Sequence, residues 1–176
     1  MTALVPEAAA RYRRRMSPKI PAGRVASLHL HPKDGGDPLA SVPSMELVEQ
    51  KGIAGNTRYF NRKGRDGKPT KRQVTLMERE QIAEHAAALG METIGPGVVR
   101  SNIETEGIAL VALIGRQVEV GTALLEFSAP RDPCAKMDAI CQGLRELMLP
   151  QKQGVLARVI RSGTVRVGDA VRAVAD

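Results

Sequence analysis

The sequence contains no Trp, and only 2% of its 176 residues are aromatic. Proteins that bind single-stranded nucleic acid without sequence preference stack bases on aromatic side chains, so this composition argues against that class. No apolar run approaches the ~20 residues that span a bilayer. Residues 1–20 also lack the apolar segment of a secretory signal. We therefore expect a cytoplasmic protein without a membrane segment.

Cysteine is equally scarce, with only Cys134 and Cys141 in the chain. If both lay on one helix, a rise of about 1.5 Å per residue would place their Cα atoms roughly 10 Å apart. A disulfide requires Cα atoms closer than about 7 Å. The spacing therefore predicts two free thiols, as is usual in a reducing compartment.

Positive charge is concentrated in two segments of a chain whose net charge is +7. Residues 11–15 include four Arg, and residues 58–72 include seven basic residues against one acid. The remainder is mildly acidic, which favours a local anion site over a broad nucleic-acid surface. The length suits one domain, so we predict a basic tail at 1–21 and a single domain at 22–176.

Short apolar segments separated by Gly-containing turns predict a sheet-rich fold from residue 22 onward. The predicted strands are 24–30, 44–49, 73–76, 111–114, 117–120, 122–127, 155–160, 165–167 and 170–174. Thr75 and Glu78 match a capping box for a helix that reaches Leu89. Asp132 and Pro133 match the start of a second helix that ends before Pro150. We predict a mainly β (α+β) protein, a β-barrel with two short helices inserted.

Cys134 lies where the chain leaves a strand and enters the second predicted helix. In the first helical turn, the helix dipole favours a thiolate, and the nearby Arg131 acts in the same direction. Asp132 opposes this unless its carboxylate caps the helix. Such a thiolate can carry a persulfide or bind a soft metal. Spacing alone leaves open a buried structural cysteine, which is the reading we favour for Cys141 on the apolar helix face.

Three histidines give no metal-binding pattern. His29 and His31 alternate on a strand without a third ligand nearby, so we expect both to be exposed at the strand end. His85 is expected at a helix surface. Arg100 and Asn102 are two residues apart, so they share a face if their segment is extended, although an ordinary solvated loop is an alternative.

Several short motifs occur in an order that resembles the MOSC domain, the C-terminal domain of molybdenum cofactor sulfurases, and its stand-alone bacterial members in particular. The motifs lie at residues 23–25, 52–56, 72–76, 100–103, 115–121, 130–134 and 154–169. Together they extend over most of residues 23–174. The resemblance implies a β-rich barrel.

The resemblance also implies site residues. Cys134 corresponds to the family cysteine, which is a proposed sulfur site in sulfurases and a molybdenum ligand in amidoxime-reducing enzymes. The Arg-x-Asn motif at Arg100, Ser101 and Asn102 would hold the pterin and phosphate of a molybdopterin-type molybdenum cofactor. From the basic loop, the candidates for the same anion are Arg58, Lys71 and Arg72.

One segment departs from the family pattern. Many members have Gly-Asp followed closely by His where this chain has Gly55, Asn56, Thr57 and Arg58. This segment therefore lacks the carboxylate and the candidate acid–base histidine of the family pattern, and Arg58 adds a positive charge.

Three functions follow from these observations. The first is a molybdenum-cofactor protein that reduces N-hydroxylated small molecules and receives electrons from a separate electron-transfer protein. The second is a sulfur carrier in which Cys134 accepts a persulfide from a pyridoxal-phosphate-dependent cysteine desulfurase on another chain. The third, least favoured, is a non-enzymatic module that binds an acidic partner or nucleic acid.

Overall fold

A computed structural model describes residues 22–32 and 38–175. The predicted basic tail at 1–21 and most of the turn at 33–38 lie outside the described residues. The strands are β1 Ala22–Leu30, β2 Ala40–Ser41, β3 Ser44–Val48, β4 Gly52–Ile53, β5 Val74–Glu78, β6 Ile103–Glu106, β7 Gln117–Val120, β8 Ala123–Pro130, β9 Val155–Arg161, β10 Gly163–Arg166 and β11 Ala170–Ala173. The helices are α1 Arg79–Ala88, α2 Lys136–Ile140 and α3 Leu144–Leu147.

Seven of the strands form a closed barrel in the order β11-β7-β8-β9-β5-β6-β1, and β1 pairs back with β11. The closing register places Ala22 opposite Arg172 and Arg24 opposite Ala170. β5 and β6 are parallel, whereas the other barrel pairs are antiparallel. This architecture confirms the predicted mainly β barrel.

Aliphatic side chains fill the barrel because alternate strand residues point inward. In β7, for example, Val118 and Val120 are buried while Gln117 and Glu119 are exposed. Phe127 is the aromatic residue of this core. A smaller sheet in the order β10-β3-β4 contributes side chains to the same core. The near absence of aromatic residues is thus matched by a core built from Val, Ile, Leu and Ala.

A second apolar cluster joins the helices to the outside of the barrel. Leu76 of β5 belongs to the barrel core, while its neighbour Met77 packs with Ile82, Met137 and Leu144 of the helices. The helices therefore cover the outer face of β5. This packing fixes residues 131–148 beside the strands that carry the candidate site.

The end of the first predicted helix is confirmed, since its C-cap is Leu89, but its start and the second predicted helix differ from the structure. Thr75 and Glu78 belong to β5 rather than to a capping box, because α1 begins at Arg79 and Glu78 makes no side-chain cap bond. The Glu78 carboxylate instead accepts a hydrogen bond from the Leu110 N–H at 2.6 Å. The second predicted helix is split into α2 and α3, since Gly143 adopts a left-handed φ of 90°.

The predicted strand at 111–114 is also wrong, because Val111–Leu113 forms a short 3-10 helix. Gly115 follows with a φ of 87° and donates its N–H to the Phe127 carbonyl at 2.8 Å. The apolar character of this segment reflects packing on the barrel core rather than strand pairing.

Candidate functional site

Side chains from five segments converge on a cavity of about 280 Å³, here called the Cys134 pocket. They come from the end of β1, the basic loop, β5, the segment before β6 and the segment between β8 and α2. The lining residues are His31, Arg58, Tyr59, Arg72, Thr75, Arg100, Arg131, Cys134, Ala135 and Lys136.

Cys134 is exposed and has a free thiol. It precedes α2, whose N-cap is Ala135, so its predicted position in the first turn of a helix is wrong. Asp132 is exposed and does not cap the helix. The positive charge near the thiol therefore comes from Arg100 and Arg131, both of which interact electrostatically with Cys134, rather than from a helix dipole.

Arg131 is the cation most firmly built into the pocket, with only 5% of its surface exposed. Its Nη1 donates to Ser101 Oγ at 3.3 Å and its Nη2 to the Val99 carbonyl at 3.2 Å. Burial, together with the charge of Arg72, lowers its pKa to about 10, so it stays charged at neutral pH. Its buried Nε has no hydrogen-bond partner among the described residues. The sequence draws attention to Arg131 only as a neighbour of Cys134.

Arg100 reaches the pocket from an unusual backbone conformation. Its φ of 60° lies in the left-handed region, which a non-glycine residue rarely adopts. The buried Glu104 holds the preceding segment, accepting hydrogen bonds from the Gly97 N–H at 2.9 Å and from Arg79 Nη1 at 2.9 Å. Burial lowers the pKa of Arg100, while the electrostatic interaction with Cys134 raises it by a smaller amount. The strained residue therefore lies on a firmly anchored segment.

His31 is only 7% exposed, so the prediction of an exposed strand end is wrong. Asn56 Oδ1 accepts hydrogen bonds from the His31 backbone N–H at 2.9 Å and from its ring Nδ1 at 3.0 Å. Because an amide oxygen only accepts, Nδ1 carries the proton and Nε2 is the bare nitrogen. Burial is the main cause that lowers the pKa of His31 to about 4. The ring is therefore neutral at neutral pH.

Tyr59 forms a buried aromatic wall that is surrounded by guanidinium groups. The Cζ atoms of Arg58, Arg62 and Arg72 lie 5.6, 6.0 and 4.7 Å from its ring centroid. The ring also packs against His31 in a T-shaped arrangement, with ring centroids 5.5 Å apart. Cation–π attraction holds the arginines at the ring despite their mutual repulsion. Sequence spacing does not show this cluster, because Tyr59 lies in a segment without periodicity.

Of the residues proposed from the sequence, Cys134, Arg58, Arg72 and Arg100 line the pocket together. Lys71 is exposed and does not line it. Thr75, predicted as a helix cap, is instead a pocket residue.

Ser101 and Asn102 lie behind the pocket wall, and both are fully buried. Ser101 supports Arg131, as described above. Asn102 Oδ1 accepts hydrogen bonds from the N–H and the hydroxyl of Thr75, at 3.3 and 2.9 Å, and its Nδ2 donates to the His29 carbonyl at 3.1 Å. The Asn102 amide is therefore engaged inside the protein, where it positions Thr75.

The two other histidines are buried as well, which contradicts their predicted exposure. His29 Nδ1 donates to the Ser101 carbonyl at 3.0 Å, and burial lowers the pKa of His29. His85 Nε2 donates to the Lys152 carbonyl at 2.8 Å. Both therefore connect neighbouring segments of the fold, and neither lines the Cys134 pocket.

Neither a membrane-spanning helix nor a cluster of three His, Cys, Asp or Glu side chains suited to a metal ion occurs in residues 22–32 and 38–175.

Solved structures share this fold. The YuaD protein of Bacillus subtilis has 19% identity and a TM-score of 0.74, over 88% of this chain and 97% of that chain. YiiM from Escherichia coli has 20% identity and a TM-score of 0.64, over 91% and 71% of the two chains. YiiM from Geobacillus stearothermophilus has 17% identity and a TM-score of 0.66, over 87% and 75%.

The curated proteins contain no match to this chain. The family model of the MOSC domain matches residues 35–172, from before β2 to the third residue of β11. The match takes in the whole Cys134 pocket apart from His31. The chain therefore belongs to the MOSC domain family.

Proposed function

We propose that the Cys134 pocket binds a molybdopterin-type molybdenum cofactor, with Cys134 as the metal ligand, and that the protein reduces N-hydroxylated small molecules. The observation that carries this proposal is an exposed thiol in one pocket with Arg100 and the buried Arg131. The MOSC family is associated with molybdenum-cofactor binding and sulfur handling, which is consistent with this set of residues.

The residues fit such a cofactor chemically. Thiolate sulfur is a soft metal ligand, and guanidinium groups pair with phosphate oxygens through two parallel hydrogen bonds. The Nε of Arg131 is a buried donor without a hydrogen-bond partner among the described residues. The cavity volume of about 280 Å³ is close to the smallest volumes of ligand pockets, which are about 300 Å³.

In this assignment Cys134 would hold the metal, while Arg100 and Arg131 would hold the phosphate and the polar edge of the pterin. When bound, the cofactor supplies two-electron redox chemistry. Reduction of an N-hydroxyl group to an amine consumes two electrons and two protons and releases water. The electrons come from a separate electron-transfer protein.

His31 is placed to orient the substrate hydroxyl in this reaction. Its neutral ring has an unprotonated Nε2, while Asn56 fixes the opposite nitrogen. Nε2 can therefore accept a hydrogen bond from a substrate hydroxyl and orient that group in the pocket. The histidine that segment 55–58 lacks is thus replaced by one from the end of β1.

A second function is favoured by the exposure of Cys134, because a partner protein can reach its sulfur. In this alternative, Cys134 Sγ attacks the terminal sulfur of a persulfide on a pyridoxal-phosphate-dependent cysteine desulfurase. The new S–S bond forms on Cys134, the old one breaks, and the desulfurase thiolate leaves.

Metal content measured on protein purified from a cofactor-competent host tests the first function. We expect molybdenum in the wild type and in Cys141→Ser, and its loss in Cys134→Ser. Cys141 is a suitable control because it lies between α2 and α3, outside the pocket. A folded wild-type preparation without molybdenum would contradict the metal-ligand role.

The sulfur-carrier alternative is tested by incubation with a cysteine desulfurase and cysteine, followed by mass spectrometry. Addition of one sulfur to the wild type and to Cys141→Ser, but not to Cys134→Ser, would support it. If no sulfur adds to Cys134, this alternative is excluded.

A further inference from the structure

A second cavity, of about 340 Å³, opens beside the Cys134 pocket on the basic loop. We call it the loop pocket, and its lining residues are Tyr59, Arg62, Lys63, Gly64, Arg65, Thr70 and Arg72. Tyr59 and Arg72 also line the Cys134 pocket, so the two cavities share a wall. One ligand of sufficient length can therefore contact both.

The loop pocket is formed by a folded hairpin. The Thr70 N–H donates to the Arg62 carbonyl at 3.1 Å, and the Gly64 N–H donates to the Lys68 carbonyl at 2.8 Å. At the base, the Asn61 N–H donates to the Lys51 carbonyl at 2.7 Å. The backbone that carries the lining side chains is therefore held in place without a ligand, which reduces the entropy lost on binding.

The charge of the loop pocket is entirely positive. Arg62, Lys63, Arg65 and Arg72 line it together with no acidic side chain. Within the part of the chain that the structure describes, no carboxylate forms an ion pair with any of these four residues. The carboxylate of the nearby Asp66 accepts a hydrogen bond from the Lys68 N–H at 3.1 Å, so it stabilises the turn of the hairpin.

Four cations around one cavity repel each other, and an anion in the cavity would relieve this repulsion. Guanidinium groups match the geometry of phosphate oxygens, and Lys adds a point charge. The cations surround a concave site rather than follow a long strip, which favours a small phosphate-bearing ligand over a nucleic-acid strand.

From these observations we infer that the loop pocket binds a phosphate or pyrophosphate group, distinct from the anion held by Arg100 and Arg131. The group belongs to a ligand that also enters the Cys134 pocket. It is either a nucleotide-like substrate or a nucleotide extension of the cofactor. The identity of this ligand rests on the proposed function, whereas phosphate binding by the loop does not.

Calorimetric titration with inorganic pyrophosphate tests the binding site. We expect the double variant Arg62→Gln/Arg65→Gln to bind pyrophosphate at least tenfold more weakly than the wild type. The matched control Arg166→Gln/Arg172→Gln removes the same charge from exposed positions on β10 and β11, and its affinity should stay within twofold. Equal weakening in both variants would show a general charge effect and overturn the proposal.

Blocking Cys134 separates the two pockets. Alkylation of the exposed thiol with N-ethylmaleimide obstructs the Cys134 pocket and leaves the loop pocket accessible. Pyrophosphate affinity that survives alkylation supports the loop pocket, even if the protein proves to bind no molybdenum. Affinity lost on alkylation places the anion beside Cys134 and refutes the proposal. Binding of a single-stranded oligonucleotide without binding of pyrophosphate would refute it in favour of a nucleic-acid surface.

Two further measurements distinguish the sources of the phosphate. If the cofactor released from the purified protein carries a nucleotide, and the loop double variant retains less of it, the phosphate belongs to the cofactor. If adenosine monophosphate binds at least tenfold more tightly than adenosine, and the loop double variant removes this difference, the phosphate belongs to a nucleotide-like substrate. If neither pattern is found, the inference that one ligand connects the two pockets is wrong.

Discussion

Asn56→Asp should change the protonation state of His31 and thereby the acid stability of the protein. The amide oxygen of Asn56 lies 3.0 Å from His31 Nδ1, and a carboxylate in its place would favour the imidazolium. An adjacent opposite charge shifts a pKa by about 1–3 units. From the wild-type value of about 4, we expect the pKa of His31 in the variant to lie between about 5 and 7. The substitution also introduces the carboxylate that the family resemblance implies at this position.

The depressed pKa of His31 has a calculable effect on stability. The shift from 6.5 to about 4 corresponds to about 3 kcal/mol at 1.36 kcal/mol per unit. A base whose pKa is lowered by folding binds its proton more readily in the unfolded chain. His31 therefore has no effect above pH 6.5, and it destabilises the fold progressively as the pH falls from 6.5 to about 4. Asn56→Asp should remove part of this loss.

NMR titration of the histidine ring protons measures the pKa directly. The chain has only three His, and the signal absent from His31→Gln identifies His31. Urea unfolding at pH 7 and pH 5 then gives the stability change. The buried His29 also has a lowered pKa and so also destabilises the fold as the pH falls. His31→Gln retains this contribution and therefore serves as the reference for the effect of His31 alone.

Two results would refute this reasoning. One is a wild-type His31 that titrates near 6.5, which would mean that burial does not hold the ring neutral. The other is an Asn56→Asp variant in which the pKa of His31 does not rise.

Three further outcomes follow from the structure. Asn102→Ala removes an amide that makes three hydrogen bonds in the interior, and it should lower the free energy of urea unfolding by roughly 3 kcal/mol; a change below about 1 kcal/mol would contradict this role. Gly154→Ala would place a Cβ onto the Leu76 carbonyl oxygen at a φ of 74°, so we expect a loss of at least ~3 kcal/mol in the same assay. Dithionitrobenzoate should modify the exposed Cys134 at least about tenfold faster than the half-buried Cys141, and similar rates would argue against an accessible thiol in the pocket.

The barrel strands are the features most readily predicted from the sequence. β7 alternates buried and exposed residues, as its sequence suggests, and β9 begins at Val155 as predicted. The alternation is visible in the sequence because successive side chains of a strand point to opposite faces, and only one of these faces packs on the core. The 3-10 helix at Val111–Leu113 was predicted as a strand because a short apolar run does not show which structure buries it.

The candidate site was predictable only in part, and Asn102 shows why. Arg100 and Asn102 share a face only on an extended backbone, but Arg100 adopts a φ of 60°. The alternation is therefore broken, and the two side chains point to different surroundings. The spacing of Arg100 and Asn102 does not reveal this turn, because the segment is held by side chains of other elements, Arg79 of α1 and Glu104 of β6.

The burial of His31 was not predictable for a similar reason. Its partners Asn56 and Tyr59 are more than twenty residues away in the sequence. A strand end adjoining a Gly- and Asp-containing turn resembles a solvated position until the basic loop is placed over it. Long-range packing, rather than local propensity, makes this histidine a pocket residue.

The pairing of β1 with β11 has a consequence for how the protein is made. These strands are the first and the eleventh in chain order, yet Gly23 lies opposite Val171. On the ribosome, the nascent chain can therefore assemble only an open sheet until residues 170–173 have emerged. During that interval the edges of β1 and β7 that later pair with β11, here called the seam, stay unpaired. They are then open to mispairing with other chains. Such late, non-local closure also predicts slow folding, with the seam as the step that completes the barrel.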